Sequence, residues 1–324
     1  MWKKELKKSF SDLSQLFDFL EISKKQKSLF LEKSSFPLLL PYRLAQKIKK
    51  RSIDDPLLLQ FVPSKKEKIE KKGFTLDPLQ EKSCCTGRVL RKYPKRALLL
   101  ASFFCGMHCR FCFRRHFSPP SSSLEEAVEE LRKDKTISEV ILSGGDPLSL
   151  SNQELKKLLQ SLEDIPHIER LRIHTRMFIA APERVDEDFL LLLRELKKPL
   201  YFVLHINHPH ELGEDLFLSL KKILLLGHPI LTQSVLLRRV NDNLQTLTTL
   251  FETLINQRIL PYYLHKLDPC AGTSHFATTP LIEKKCLLEL KNQLPGYGYP
   301  KFVQEIAGKK SKQPLVLRNC PRIK

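Results

Sequence analysis

Two textures of hydrophobic patterning divide the chain. From Arg96 onward, short apolar runs alternate with stretches that carry apolar residues at helical spacing. The runs predict strands over 97–104, 139–142, 171–174, 200–205, 229–235 and 261–265. Helix starts are marked between them: Ser123 with Glu126, and Ser151 with Glu154, each match a capping box. Strands alternating with helices imply parallel pairing through right-handed crossovers. Six such units are too few for a closed eight-stranded barrel. The expected fold is therefore α/β, a partial (β/α)6 TIM-like barrel. Residues 1–90 read otherwise. Leu13, Leu16, Phe17 and Leu20 share a helical face behind a cap at Ser11, and Pro37, Pro41, Pro56, Pro63 and Pro78 then punctuate the chain. We expect an N-terminal helical and irregular extension over 1–90, a core over 91–270 and a C-terminal segment over 271–324, with no chemistry in the first of these.

Composition narrows the class. The chain of 324 residues is 42% hydrophobic with a formal net charge of +19, a globular balance large enough for a substantial core. Its lysines are scattered along helical faces, and no basic run is interleaved with aromatics. That pattern describes a solvated lysine-rich surface and argues against nucleic acid as partner. No apolar run is long enough to span a membrane, and Met1-Trp2-Lys3-Lys4-Glu5 lacks an apolar leader. The eight cysteines are irregularly spaced, which suggests ligand thiols in a reducing, cytoplasmic setting rather than a disulfide framework. Cys84, Cys85, Cys270, Cys286 and Cys320 have no metal spacing and read as buried or free thiols.

The remaining three carry the chemistry. Cys105, Cys109 and Cys112 stand at C-x3-C-x2-C spacing in the loop that leaves the first predicted strand. Thiolates are the ligands of iron–sulfur clusters. A 4Fe–4S cluster held by three of them keeps one iron open. The other reading is a structural zinc site with His108 or His116 as fourth ligand. Further polar residues gather where the strands end: Gly144-Gly145-Asp146, His174 and Arg176, His205 and Asn207, Gln233, and Asp268. Barrels of this handedness build their sites from those ends.

A C-x3-C-x2-C loop after a first strand, with Gly144-Gly145-Asp146 after the second, resembles the radical S-adenosylmethionine (SAM) enzymes. The resemblance implies that the open iron binds SAM, and that one electron from the cluster cleaves it to a 5′-deoxyadenosyl radical. The two glycines would let the backbone approach SAM closely. Seven further stretches narrow the likeness: Tyr93-Pro94-Lys95-Arg96, Cys112-Phe113-Arg114-Arg115, Ser143 to Asp146, His205-Ile206-Asn207-His208-Pro209, Gln233-Ser234-Val235-Leu236-Leu237, Asn241-Asp242-Asn243 and Tyr262-Tyr263-Leu264-His265. Over about residues 70–317 they resemble the lysine 2,3-aminomutase family. Asp54-Asp55-Pro56-Leu57 and Gly73-Phe74 extend the likeness to the shorter branch that makes (R)-β-lysine for elongation factor P. Within the family, a tail that ends soon after Lys312 is similar to that branch rather than to the catabolic enzymes.

That resemblance implies pyridoxal phosphate (PLP) as a further cofactor and a radical 1,2-migration of the amino group from the α- to the β-carbon of free L-lysine. Residue by residue, Lys312 in Ser311-Lys312-Gln313-Pro314 matches the lysine that holds PLP covalently. Gly308 is here followed by Lys309 and Lys310, which depart from the family's glycine run and are alternative anchors. Arg96 matches a PLP-phosphate arginine, with Lys92 a weaker candidate. Arg114 matches the arginine for the substrate carboxylate. Asp268 and Glu305 match two acidic residues around the substrate's ε-ammonium, where the second is commonly Asp. Gln233 and His205 match SAM-side positions, as do Gly144, Gly145 and Asp146. Implied partners are a reductase or flavodoxin-type electron donor and, functionally, elongation factor P with its lysyl ligase; a homo-oligomer is compatible with the sequence. A radical SAM enzyme acting on RNA, and a zinc-binding nucleic-acid module, stay open as alternatives.

Overall fold

The computed structural model describes residues 1–315. Cys320 and the end of the tail lie outside them. Ten strands form one sheet in chain order: β1 (Cys85–Thr86), β2 (Val89–Tyr93), β3 (Arg96–Ser102), β4 (Glu139–Gly144), β5 (Arg170–Thr175), β6 (Leu200–His205), β7 (Ile230–Leu236), β8 (Leu260–Lys266), β9 (Lys301–Gln304) and β10 (Gln313–Pro314). β3 to β9 run parallel to their neighbours. Antiparallel pairs close the two ends, β1 and β2 against β3 and β10 against β9. The fold is thus α/β with a mixed sheet. Each of the six strands expected from the apolar runs is followed by a helix, but a seventh parallel strand, β9, comes after the helix Pro280–Gln293. It escaped notice because only Phe302 and Val303 are apolar and buried in it.

The sheet curves strongly. Lys92 of β2 and Glu305, directly after β9, meet at 2.8 Å although they belong to opposite ends of the strand order. The strands alternate accordingly: β5 buries Leu171, Ile173 and Thr175 and turns Arg172 and His174 the other way, as a period of two requires. Both capping boxes are formed, Ser123 accepting from Glu126 N and Ser151 from Glu154 N.

The first 90 residues do not pack as a separate body. Leu16, Leu20, Leu44, Leu57, Leu58 and Phe61 belong to the same buried cluster as Leu142, Ile173 and Phe202 of the sheet. The helix Leu13–Phe19 is present, but its cap is Asp12, which accepts from Gln15 N, and not Ser11. Among the described residues no helix is long and apolar enough to cross a membrane.

Candidate active site

The loop after β3 is held from below by the N-terminal residues. His108 N donates to Leu39 O at 2.9 Å and Arg110 N to Gln60 O at 2.8 Å. Arg110 is completely buried; its guanidinium reaches Glu67, Phe36 O and Ser34 Oγ and lies 5.0 Å from the Phe36 ring centre. These clamps leave Cys105, Cys109 and Cys112 on the wall of one cavity of about 540 Å³. Burial pushes all three thiols up, Cys112 to about 11. The two histidines of the zinc alternative are spent elsewhere: His108 Nδ1 meets Pro37 O at 3.0 Å and His116 Nε2 meets Ala271 O at 3.1 Å. Among the described residues, no three His, Cys, Asp or Glu side chains close on a single metal-ion position.

Gly144 and Gly145 serve the protein's own packing. Gly145 N donates to Ser102 O at 2.6 Å and Asp146 N to Phe104 O at 2.7 Å, so the loop after β4 lies directly on the cysteine loop. A Cβ on Gly144, whose φ is +112°, would sit 2.3 Å from Ser102 O, and one on Gly145 would sit 2.5 Å from Phe104 O. Both glycines still line the cavity, and the approach of backbone to backbone is a second reason for them. Asp146 is likewise turned inward: it accepts from Thr175 Oγ1, Arg176 N and Leu148 N, and burial raises its pKa to about 6. It ties the ends of β4 and β5 together.

Next to it, Arg176 Nη1 donates to Cys109 Sγ at 2.8 Å and Nη2 to Glu211 Oε2 at 2.5 Å. Glu211, fully buried, also accepts from Asn207 N and His208 N. His205 Nε2 lies 3.1 Å from Asn207 Oδ1. Burial, then the Arg176 charge, lowers His205 to about 3, so its ring is neutral. Gln233 faces the cavity, and among the described residues its amide has no protein partner.

The opposite wall carries a chain of alternating charges. β9 and β10 form a hairpin in which Gln304 faces Gln313, so the flanking residues Glu305 and Lys312 meet, Nζ to Oε2, at 2.6 Å. Lys309 and Lys310 are exposed at the hairpin tip, while Lys312 lines the cavity. Glu305 also pairs with Lys92, Lys92 with Glu81 at 3.0 Å, and Glu81 with Arg114 through two bonds of 2.6 and 2.8 Å. Burial opposes ionisation of Glu305, but the charges and hydrogen bonds of Lys312 and Lys92 win and hold it at about 2. Asp268 stands in the same wall with no protein partner for its carboxylate among the described residues. Burial, then the Glu305 charge, raises it to about 7. Arg96 lies over the Tyr93 ring at 5.3 Å, and its guanidinium donates to no protein acceptor among the described residues. The three cysteines, Arg96, Arg114, Gly144, Gly145, Asp146, His205, Gln233, Asp268, Glu305 and Lys312 therefore border one space, whereas Lys309, Lys310 and His116 do not.

Two residues were missed. Glu81 belongs to the stretch in which no chemistry was expected, and only its position between Arg114 and Lys92 reveals it. Arg172 sits in the apolar run of β5; its alternation with Leu171 and Ile173 was the available signal.

Comparison with known proteins agrees with this geometry. Residues 99–229 match the model of the Radical SAM superfamily. L-lysine 2,3-aminomutase of Escherichia coli (strain K12) is 38% identical over 98% of this chain and 95% of its own. The chain belongs to the lysine 2,3-aminomutase family. The enzyme of that name from Haemophilus influenzae is also 38% identical, over 96% of this chain and 94% of its own. That of Clostridium subterminale is 29% identical over 97% of this chain and 77% of its own. Membership in a radical SAM family implies a 4Fe–4S cluster and SAM, and the residues fit them. Three thiols in one clamped loop face an open cavity, with no histidine placed to complete a single-ion site. Arg176, whose Nε is buried without a partner among the described residues, donates to one of those sulfurs. When bound, such a cluster needs its thiols deprotonated, which the Arg176 charge favours at Cys109.

Proposed function

We propose that the protein is an isomerase that converts L-α-lysine to β-lysine by radical 1,2-migration of the amino group, with a 4Fe–4S cluster, SAM and PLP in the one cavity. The observation that carries the proposal is the cavity's two faces: three cysteines at one, and Lys312 with Glu305, Asp268 and Lys92 at the other. The curved sheet between them is a partial barrel, with residues 1–90 as its extension and 271–324 as the segment that brings Lys312. The names of the relatives support the substrate and the reaction.

The donors present suit PLP. Lys312 would hold it through Nζ, and Arg96, without a protein acceptor, would bind its phosphate as a planar fork. Arg172 Nε and His174 Nε2, buried without partners among the described residues and on the same face, offer further polar groups that a polar ligand would satisfy. When bound, PLP supplies a conjugated system that spreads the unpaired electron during migration; the cluster and SAM supply the carbon radical that starts it.

The chain's own residues select and place the substrate. Asp268, the carboxylate without a partner, receives the ε-ammonium, and Glu305, ionised and already among cations, completes the acidic end. A buried ammonium without such partners would be costly. At the other end Arg114 takes the α-carboxylate, in exchange with Glu81 or alongside it. Glu305 Oε2, 2.6 Å from Lys312 Nζ, would hold that amine whenever it is not bound to PLP. The enclosing walls exclude water from the radical.

Reconstituted protein given labelled L-lysine, SAM, PLP and reductant should yield β-lysine on chiral chromatography; lysine returned unchanged sinks the reading. The PLP absorbance band should vanish in Lys312→Ala and persist in Lys309→Ala. Delivery of (R)-β-lysine to elongation factor P through its ligase rests on resemblance to that branch, and ligation of the product to purified elongation factor P tests it.

A further inference from the structure

A second concavity of about 670 Å³ lies on the other side of the cysteine loop. Cys112, Phe113 and Arg114 border the reaction cavity, whereas the next two residues, Arg115 and His116, border the outer groove. The loop thus contributes neighbouring residues to both. Arg115 N donates to Cys112 O at 3.3 Å, and Arg115 Nη2 donates to Glu67 Oε2 at 2.5 Å. A short covalent and hydrogen-bonded route therefore joins the groove to a cluster ligand.

The groove's rim is cationic. Lys33, Lys68, Lys71 and Lys72 line it, all exposed. None forms an ion pair among the described residues, while many other surface lysines do, such as Lys50 with Glu21. Of the two acids that line the groove, Glu67 is consumed by Arg110 and Arg115, which leaves Glu70, with Glu32 beside Lys33, against the four lysines. Ile69, 57% exposed, lines the groove too. Exposed apolar surface beside several like charges without ion-pair partners among the described residues is the pattern of a small transient interface steered by electrostatics.

On the basis of the proposed radical reaction, which starts only once the cluster has been reduced by one electron, we infer that this groove docks an acidic one-electron carrier protein. The carrier's negative rim meets the four lysines, its redox group faces Arg115 and His116, and the electron passes through the loop to the cluster. The carrier is oxidised by one electron, the cluster is reduced by one, and no bond forms between the proteins.

The test uses the cluster-loaded full chain and reduced flavodoxin as donor, with cluster reduction followed by EPR and stopped-flow absorbance. The variant is Lys68→Glu/Lys71→Glu/Lys72→Glu. The control, Lys133→Glu/Lys135→Glu/Lys197→Glu, makes the same charge change at exposed positions in the helix end and connections that precede β4 and β6, at the opposite end of the strands from the cysteines. Removing complementary charge should slow flavodoxin-driven reduction at low ionic strength by at least about tenfold and flatten its salt dependence, while dithionite, which needs no docking, reduces variant and wild type alike. The control should behave as wild type. Equal flavodoxin rates in variant and wild type overturn the proposal, as does equal slowing in the control. So does a variant that loses binding of poly(U) RNA yet keeps its flavodoxin rate, since the groove would then be a polyanion site. If wild type is reduced by dithionite yet makes no β-lysine, the functional reading fails while the docking result still stands on the reduction rates.

Discussion

At the scale of single residues, the acidic end of the cavity holds two carboxyl groups pushed in opposite directions. Asp268 sits near 7 and Glu305 near 2, and the groups facing Asp268 are Glu305, Lys312, Lys92 and Glu81. For the free protein, Asp268 takes up a proton on folding between about pH 4 and 7, so its contribution to stability falls as pH rises through that window. Glu305 acts the other way: its contribution is full above about pH 4 and is lost as pH falls toward 2. If lysine's ε-ammonium binds Asp268 as proposed, binding must ionise that carboxyl. Affinity for lysine should therefore rise by up to about tenfold per pH unit below 7 and level off above it. Calorimetry in buffers of different ionisation heat should detect a proton released on binding near neutral pH, and Asp268→Asn should lose both the slope and the proton. Glu81 gives a second prediction. It is 2% exposed and pairs with both Arg114 and Lys92. Breaking such a pair strands buried charge, so Glu81→Gln should cost about 3 kcal/mol. Because the substrate carboxylate can replace the lost charge beside Arg114, added lysine should raise the melting temperature of Glu81→Gln more than that of wild type. The sequence made Arg114 legible through its place two residues after Cys112. It hid Glu81, because a carboxylate in a polar, proline-punctuated stretch looks solvated until the fold brings it against two cations.

At the scale of elements, the six apolar strands were legible because their burial is written as runs of Leu, Ile, Val and Phe. β2, β9 and β10 were not, because the strands that flank the site carry its charges. β2 contributes Lys92, and the β9–β10 hairpin exists to set Glu305 beside Lys312. Strands that present ionic groups to a cavity lose the apolar pattern by which strands are recognised. The turn after β4 shows the reverse case, a motif visible in sequence for a reason only the packing explains. A Cβ on Gly145 would lie 2.5 Å from Phe104 O and 2.7 Å from Phe103 C, and neither backbone atom can yield without moving the cysteine loop. Gly145→Ala should therefore lower the iron and sulfide bound per chain after reconstitution, measured by colorimetric assay. Gly296→Ala, with nothing within 4 Å of the added carbon, should load as wild type.

At the scale of the whole molecule, the +19 charge suggests a protein governed by surface electrostatics, yet the ionic contacts that shape the site are the few buried ones. Glu67 is the deciding case, since its carboxylate joins the N-terminal residues to Arg110 and Arg115 of the cysteine loop, and the side chains of all three are at most 4% exposed. Burial raises the cost of its charge, but the two guanidinium groups more than offset it and hold the pKa below the ordinary carboxylate value. Glu21 makes a pair of bonds of the same kind, to Lys50 and Arg51, on the open surface. Substituting either by Gln raises the net charge by one, so any difference between the two isolates burial from charge. Glu67→Gln leaves two buried guanidinium groups short of a counter-charge and should cost about 3–5 kcal/mol in a denaturant titration, with cluster loading reduced because the loop loses its anchor. Glu21→Gln should leave both the titration midpoint and the loading unchanged, since exposed pairs contribute little. Equal effects would mean that the N-terminal 90 residues cover the sheet without fixing the loop. The predicted inequality makes them part of the apparatus that places the cysteines.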